Sequence, residues 1–341
     1  MKILVIKLTS MGDALHLLPA LTDLQEQIPN AKVDWMIEDS FSEIPTWHAS
    51  VDRVISVSTR RWRSINKRNA QEFLSFISLL RERSYDAIVD AQGLMKSAGL
   101  SRFARLNSTG KRIGFNADSI KETFAARLYS TQISVNRELH AIDRLRQLFA
   151  EGFDYPLPNT PVNYAVHSPN QASNERTHNT ILFFPSTTWA SKHLPDQHWR
   201  TVLDLVIDDG YRVKISWGNE QEKNRAEWIA QDRQDVEVLP KSNLNNLAKI
   251  LRHSAGAIAV DTGLGHMAAA LGVPTVSVYG ATDAKLTGAV GDNQIHLQAQ
   301  FPCSPCFIKN CNKLTDQVTD APCYQTTSAA KIWQALYRQI V

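Results

Sequence analysis

Residues 2–21 read KILVIKLTSMGDALHLLPAL, and they decide the fold class. KILVIKL is a short apolar run of the kind a buried parallel strand carries, and the segment after Gly12 has the apolar spacing of an amphipathic helix. A strand that turns directly into a helix is the repeating unit of an α/β sheet. Asp13 stands in the bend, at the carboxyl end of that strand. Two readings suit it. One is a helix cap, since Asp caps well and its charge matches a helix N-terminus. The other is a catalytic base, since open α/β sheets bind ligands at the carboxyl ends of their strands.

The rhythm continues along the chain. KVDWMIE (32–38) and VDRVISV (51–57) read as strands, and a helix around 69–83 carries Phe73, Phe76, Ile77 and Leu80 on one face. YDAIVDAQG (85–93) is a buried strand ending in a polar turn, followed by helix LMKSAGLSRFARL (94–106) and short strand KRIGF (111–115). Residues 156–179, PLPNTPVNYAVHSPNQASNERTHN, have the Pro, Asn and Ser content of a linker. Strand and helix then alternate again. Strands are expected at 180–186, 212–218, 236–240, 257–261 and 275–280, with helices near 196–209, 220–232, 243–254 and 265–272. The expected architecture is α/β, with two Rossmann-like doubly wound domains facing each other across a cleft. The first spans 1–160, a linker spans 161–179, and the second spans 180–326. The last helix, within 327–341, is expected to pack back on the first domain.

Composition sets limits on function. A hydrophobic share of 43% and a charged share of 21% over 341 residues suit a soluble protein of two domains. No apolar stretch reaches the ~18 residues of a membrane span. Lys7 interrupts the first apolar run, and Gly-Asp follows it instead of a small-residue cleavage site, so a cytoplasmic location is expected. The net charge of +3 hides a basic region, because residues 60–137 hold 15 Lys and Arg against 6 Asp and Glu. It opens with RRWRSINKR (60–68) and suits a phosphorylated or carboxylated partner or an acidic membrane surface. No nucleic-acid motif accompanies it, so nucleic acid is not expected as a partner. Cys303, Cys306, Cys311 and Cys323 follow the pattern C-x2-C-x4-C-x11-C. This approaches metal-ligand spacing but lacks the paired C-x2-C units of a zinc ribbon. No metal is expected; a structural site is the alternative to four reduced thiols.

The strand ends of the second half carry polar groups that suit a phosphorylated ligand. FFPSTTWASKHLPDQHW (183–199) sets Ser186, Thr187, Thr188 and Lys192 between a strand and a helix, where hydroxyls, an ammonium and helix N–H groups can hold phosphate. VDTGLGHMAAALG (260–272) ends a strand with Asp261, Thr262 and Gly263 and starts a small-residue helix with His266 in its first turn. Each alone is a plain helix start, with Asp261 as a cap. Together with Glu222 beyond a third strand, in a position to hold ribose hydroxyls, they favour a nucleotide site. No G-x-G-x-x-G occurs, which argues against a nicotinamide or flavin, and no cofactor is expected.

These segments together resemble the bacterial lipopolysaccharide heptosyltransferases of glycosyltransferase family 9, above all heptosyltransferase I. The resemblance rests on KLTSMGDALHLLPALTDLQEQIPNAKVDW (7–35), RRWR (60–63), DAQGLMKSAGL (90–100), the Lys192 segment and VDTGLGHMAAALGVPTVSVYGATD (260–283). It implies the GT-B architecture and an inverting, metal-independent transfer of heptose from ADP-heptose to a Kdo sugar of Kdo-lipid A, at the cytoplasmic face of the inner membrane. It also implies Asp13 as general base and Thr187, Thr188, Lys192, Glu222, Asp261, Thr262, Gly263 and His266 at the donor. Arg60, Arg61 and Arg63 fall to the acceptor. Three departures surround the donor positions. Ala190-Ser191 stand where relatives carry an acidic residue, Leu194 where they carry Trp, and YGATDA (279–284) where they have two prolines. Another nucleotide-sugar donor on the same scaffold, or a nucleotide-sugar epimerase, is the alternative.

Overall fold

The computed structural model describes residues 1–64, 66–167, 179–314 and 320–341. The chain divides into two compact units, Met1–Pro169 and Asn170–Val341. In the first, β1 (Lys2–Ile6) leads to α1 (Met11–Gln27), β2 (Lys32–Glu38) and β3 (Val51–Val57). Then come α2 (Lys67–Leu80), β4 (Ser84–Asp90), α3 (Met95–Ser101), β5 (Arg105–Phe115), β6 (Thr131–Ile133) and α4 (Ala141–Gly152). The six strands pair in the order β3-β2-β1-β4-β5-β6, all parallel. Burial explains the sequence pattern: Ile3, Leu4, Val5 and Ile6 are fully enclosed, as a central strand covered on both faces must be. The expected face of α2 packs inward, with Phe76 and Leu80 buried and Phe73 and Ile77 against the same core.

The second unit repeats the plan. β7 (Thr180–Phe184), α5 (Asp196–Asp208), β8 (Arg212–Ile215), α6 (Glu220–Ala230), β9 (Val236–Val238) and α7 (Leu244–Arg252) come first. β10 (Gly256–Val260), α8 (Gly263–Ala270), β11 (Thr275–Tyr279), α9 (Ala284–Thr287), β12 (Gln294–Gln298) and α10 (Ala329–Ile340) complete it. The parallel order β12-β11-β10-β7-β8-β9 is the same topology read from the other edge. In both sheets the order reverses beside the first strand, between β1 and β4 and between β7 and β10. Such a switch point opens a crevice at the carboxyl ends of the strands.

Two expectations are corrected. The stretch 161–179 is not a linker from its start. Val166 bridges to His48, the His167 N–H donates to the Trp47 carbonyl at 2.7 Å, and Tyr164 is buried, so the chain up to 167 belongs to the first unit. The remainder up to 178 lies outside the described residues. The C-terminal helix, expected on the first unit, is docked in the second. Ile332, Trp333 and Leu336 of α10 belong to the core of the second, with α5, β10 and β11 beneath them. Trp333 Nε1 donates to Asp209 Oδ2 at 2.5 Å just beyond α5, and its ring meets Tyr211 at 5.4 Å. The apolar face of α10 found its cover in its own sheet layer.

Candidate active site

Each switch point carries one of the expected constellations. In the first unit, Asp13 sits in the third position of α1 and Ser10 occupies the N-cap. The cap reading of Asp13 is therefore corrected to the other half of a capping box. Its Oδ2 accepts from the Ser10 N–H at 2.8 Å and from the Ser10 hydroxyl at 2.9 Å. Its Oδ1 stands 3.7 Å from the ammonium of Lys7, a buried lysine that also donates to the Ala91 carbonyl at 3.1 Å. The carboxylate is held on two sides, and its side chain still has 43% of its surface exposed.

The loop leading to Asp13 is fastened across the switch point. Gln92, after β4, accepts from the N–H groups of Leu8 and Thr9 at 3.0 and 3.2 Å. Asp90 in turn accepts from the N–H of Gln92 and Gly93, the Ser97 hydroxyl and the Tyr129 hydroxyl. Burial pushes the Asp90 carboxyl up, while these four donors pull it the other way. Gly93 takes φ 70°, the left-handed conformation that this tight turn requires.

In the second unit, Lys192 Nζ lies 2.6 Å from Asp261 Oδ2, with both side chains largely buried. The Thr282 hydroxyl donates to the same oxygen at 2.5 Å, and the Thr187 hydroxyl donates to the Asp261 carbonyl at 2.9 Å. The buried His266 has Nε2 4.0 Å from Asp261 Oδ1. Asp261 is thus an anchor for Lys192 and not the cap of α8. Thr262 takes the N-cap position instead, with Gly263 opening the helix. The Lys192 ammonium also lies 4.6 Å from the centre of the Trp189 ring. Leu194, where the resemblance led to expect tryptophan, is fully buried.

Beside this cluster is a cavity of about 870 Å³, lined by Thr187, Thr188, His193, Asn219, Glu222 and Arg225 among others. Glu222 Oε2 accepts from the Gly218 N–H at 2.7 Å, while Asn219 caps α6 by accepting from the Glu222 N–H. A larger cavity of about 1020 Å³ lies at the opposite, amino ends of β7, β8 and β9. Arg212 and Lys214 in its lining face Asp235 and Glu237 at 3.9 and 2.9 Å, and it lies away from the switch point.

The arginine segment is partly committed. Arg61 reaches Glu72 at 2.5 Å and the Ser58 hydroxyl at 2.7 Å, and Arg60 is exposed. The side chain of Arg63 lies outside the described residues. All four cysteines are free thiols, and burial, with the other three as smaller causes, pushes Cys323 up to about 11. Among the described residues no group of three or more His, Cys, Asp or Glu side chains is arranged to hold a metal ion. No described helix is long and apolar enough to cross a membrane.

Residues 73–315 match the model of glycosyltransferase family 9 (heptosyltransferase). Lipopolysaccharide heptosyltransferase 1 of Pseudomonas aeruginosa is 41% identical over 314 residues, covering 91% of this chain and 87% of that one. The chain belongs to glycosyltransferase family 9. Its fold agrees with that of the E. coli heptosyltransferase WaaC with ADP, at a TM-score of 0.86 and 36% identity over 99% of this chain and 100% of that one. It agrees also with WaaC bound to ADP-2-deoxy-2-fluoro heptose, at 0.84 and 36% identity over 99% of both. This family 9 glycosyltransferase accordingly has the GT-B fold.

Several residues around the candidate site carry no clear signal in the sequence. Thr282 reaches Asp261 from another segment, His193 and Trp189 meet Thr187 and Lys192 from within theirs, and Arg225 reaches Thr187 through His193. Lys7 faces Asp13 directly, and Gln92 holds the loop before it. Lys7 carried a usable signal, a charge inside a buried strand run. The others are ordinary polar residues whose roles depend on what folds against them.

Proposed function

We propose that this glycosyltransferase moves heptose from ADP-heptose to a Kdo sugar of Kdo-lipid A, inverting the anomeric centre without a metal ion. The observation that supports this most is the Lys192–Asp261 pair at the switch point of the second sheet. An ammonium has three donors, and Asp261 engages one of them. The other two are left for a diphosphate, and the N-terminus of α8 adds its dipole to the same charge. As the glycosidic bond to ADP breaks, negative charge grows on the leaving phosphate, and these fixed donors stabilise it without reorganising. Asp261 Oδ2 is occupied by Lys192 and Thr282, so this carboxylate serves to aim the lysine. Thr187 and Thr188 supply hydroxyls, Glu222 keeps one oxygen for ribose, and Thr262, Gly263 and His266 border the phosphates.

Asp13 removes the proton from the acceptor hydroxyl as that oxygen attacks the anomeric carbon from the face opposite ADP. Its partial exposure leaves room for a sugar, and Ser10 and Lys7 hold the carboxylate in place. Arg60, Arg61 and Arg63 meet the carboxylate and phosphates of the acceptor, which brings the enzyme to the membrane surface as a peripheral protein. The test is ADP release from ADP-heptose with and without Kdo-lipid A. Acceptor-dependent release that falls about 10²–10⁴-fold in Asp13→Asn is the expected result. ADP binding with no release would mean another donor sugar on this scaffold. Nucleotide release that ignores the acceptor would turn the reading toward an epimerase.

A further inference from the structure

The segment between β7 and α5, residues 185–195, carries Thr187, Thr188 and Lys192, and its regular structure is a single helical turn, Ala190–Lys192. A loop of this length holds its side chains in place only if its backbone is tied down. One side of it is tied by Ser191. The Ser191 hydroxyl donates to the Ile308 carbonyl at 2.5 Å, its N–H to the Lys309 carbonyl at 3.1 Å, and its own carbonyl accepts from Tyr324 at 3.2 Å.

The other side is tied by one residue. Arg225, on α6 one turn beyond Glu222, sends Nε to Asp196 Oδ1 at 2.5 Å and Nη2 to the Leu194 carbonyl at 2.7 Å. Its Nη1 donates to the Pro185 carbonyl at 2.7 Å and to His193 Nδ1. A guanidinium only donates, so His193 Nδ1 is an acceptor and the ring proton sits on Nε2. That Nε2–H then donates to the Thr187 carbonyl at 3.0 Å. Four of the five N–H groups of Arg225 are used, and every acceptor lies within 185–196. They include both ends of the loop, and through His193 they reach the carbonyl of a donor-site threonine.

We infer that Arg225 is a positioning residue of the donor site: it closes the loop 185–196 at both ends, sets where Lys192 and Thr187 stand, and locks that loop to the helix that carries Glu222. This rests on the donor assignment proposed above. It does not depend on which sugar is transferred or on the acceptor. The side chain is largely buried, yet it borders the 870 Å³ cavity, so water can replace it when it is shortened. Its loss therefore loosens the loop without unfolding the unit. Lysine does not substitute, because one ammonium cannot span acceptors that a planar fork reaches together.

The test compares wild type, Arg225→Ala and Arg225→Lys by four readouts: thermal unfolding, ADP binding by calorimetry, amide exchange of 185–196, and steady-state ADP release. Both variants are expected to unfold near the wild-type temperature and to exchange faster in 185–196 than elsewhere. A loop competent about a tenth of the time lowers ADP affinity about tenfold, and displacement of Lys192 by about 1 Å lowers kcat about a hundredfold. Free guanidinium at non-denaturing concentration restores part of the activity of Arg225→Ala and none of that of Arg225→Lys. Wild-type kcat, donor KM and loop exchange in Arg225→Ala would overturn the inference. So would a loss that guanidinium does not rescue and that comes with faster exchange across the whole unit. Should wild type bind ADP but fail to transfer heptose, the proposed function falls, while the binding and exchange data still decide the role of Arg225.

Discussion

The carboxylate of Asp13 accepts two bonds from Ser10, so replacing it touches the helix start as well as the proposed chemistry. Asparagine separates the two, because its amide oxygen still accepts from the Ser10 N–H but cannot take a proton at neutral pH. Asp13→Asn should therefore unfold within about 1 kcal/mol of wild type while its kcat collapses; wild-type turnover in this variant would leave Asp13 with a capping role only. Lys192 and Asp261 form a second test at this scale. Lys192→Met strands a buried carboxylate and should cost about 3–5 kcal/mol of stability, with donor affinity falling about 10–100-fold. Adding Asp261→Asn should restore most of the stability and none of the affinity. Denaturant titration and ADP calorimetry on the single and double variants separate the two effects.

Between elements, α4 is joined to α1 by a buried ion pair. Arg146 Nε lies 2.7 Å from Asp23 Oδ2, and Nη2 donates to Oδ1 at 3.2 Å. The same guanidinium also donates to the carbonyls of Pro158 and Thr160, which brings the chain after α4 down onto the first unit. Removing one partner leaves the other charge buried and unpaired. Asp23→Ala is expected to destabilise the first unit by about 3–5 kcal/mol, and Asp23→Leu with Arg146→Met by much less. Chemical denaturation of the three proteins measures this directly; equal losses in the single and the double variant would show that packing matters here and the pairing does not.

Over the whole molecule, buried histidines set the response to acid. His48 is enclosed between α1 and the start of β3. Its Nδ1 accepts from the Ser50 N–H, and its Nε2 faces the Thr22 hydroxyl at 3.1 Å, which itself donates to the Leu18 carbonyl. Burial, with the charge of His167 as a smaller cause, lowers its pKa to about 4. The unfolded chain therefore binds a proton that the folded chain refuses. Stability is complete above about pH 6.5 and declines as the pH falls toward 4, by roughly 3 kcal/mol in total from this residue. Burial shifts His193, His198 and His296 of the second unit in the same direction. Denaturant midpoints at pH 7 and pH 5 should differ accordingly, and His48→Gln should flatten the slope for the first unit. A midpoint independent of pH in that window would contradict this account.

Local pattern carries the elements. The runs 32–38 and 51–57 are strands to the residue, and the helices of the second unit other than the short α9, which was not expected, begin within two residues of where the sequence puts them. Apolar period and turn residues act over a few positions, so they are written in the sequence itself. Asp13, Thr187, Lys192 and Asp261 were legible for the same reason, since a polar residue after an apolar run marks a strand end. The strands β6 and β12, TQI and QIHLQ, are short or only partly buried and carry no apolar run, and neither was visible, whereas the edge strand β3 was. Which strand ends meet is a matter of sheet order alone. β10 lies beside β7 and β4 beside β1, which sets Asp261 on Lys192 and Gln92 on the loop before Asp13. The same holds for Arg225 on 185–196, Arg146 on Asp23, and the docking of α10 in its own unit. Each joins residues distant in the chain, and no local rule of period or capping reaches that far. By itself the sequence determined the class of fold, most of its elements and the strand ends that carry polar groups. The tertiary structure decided which of those ends work together and which side chains hold them there, because that depends on long-range strand pairing and the burial it creates.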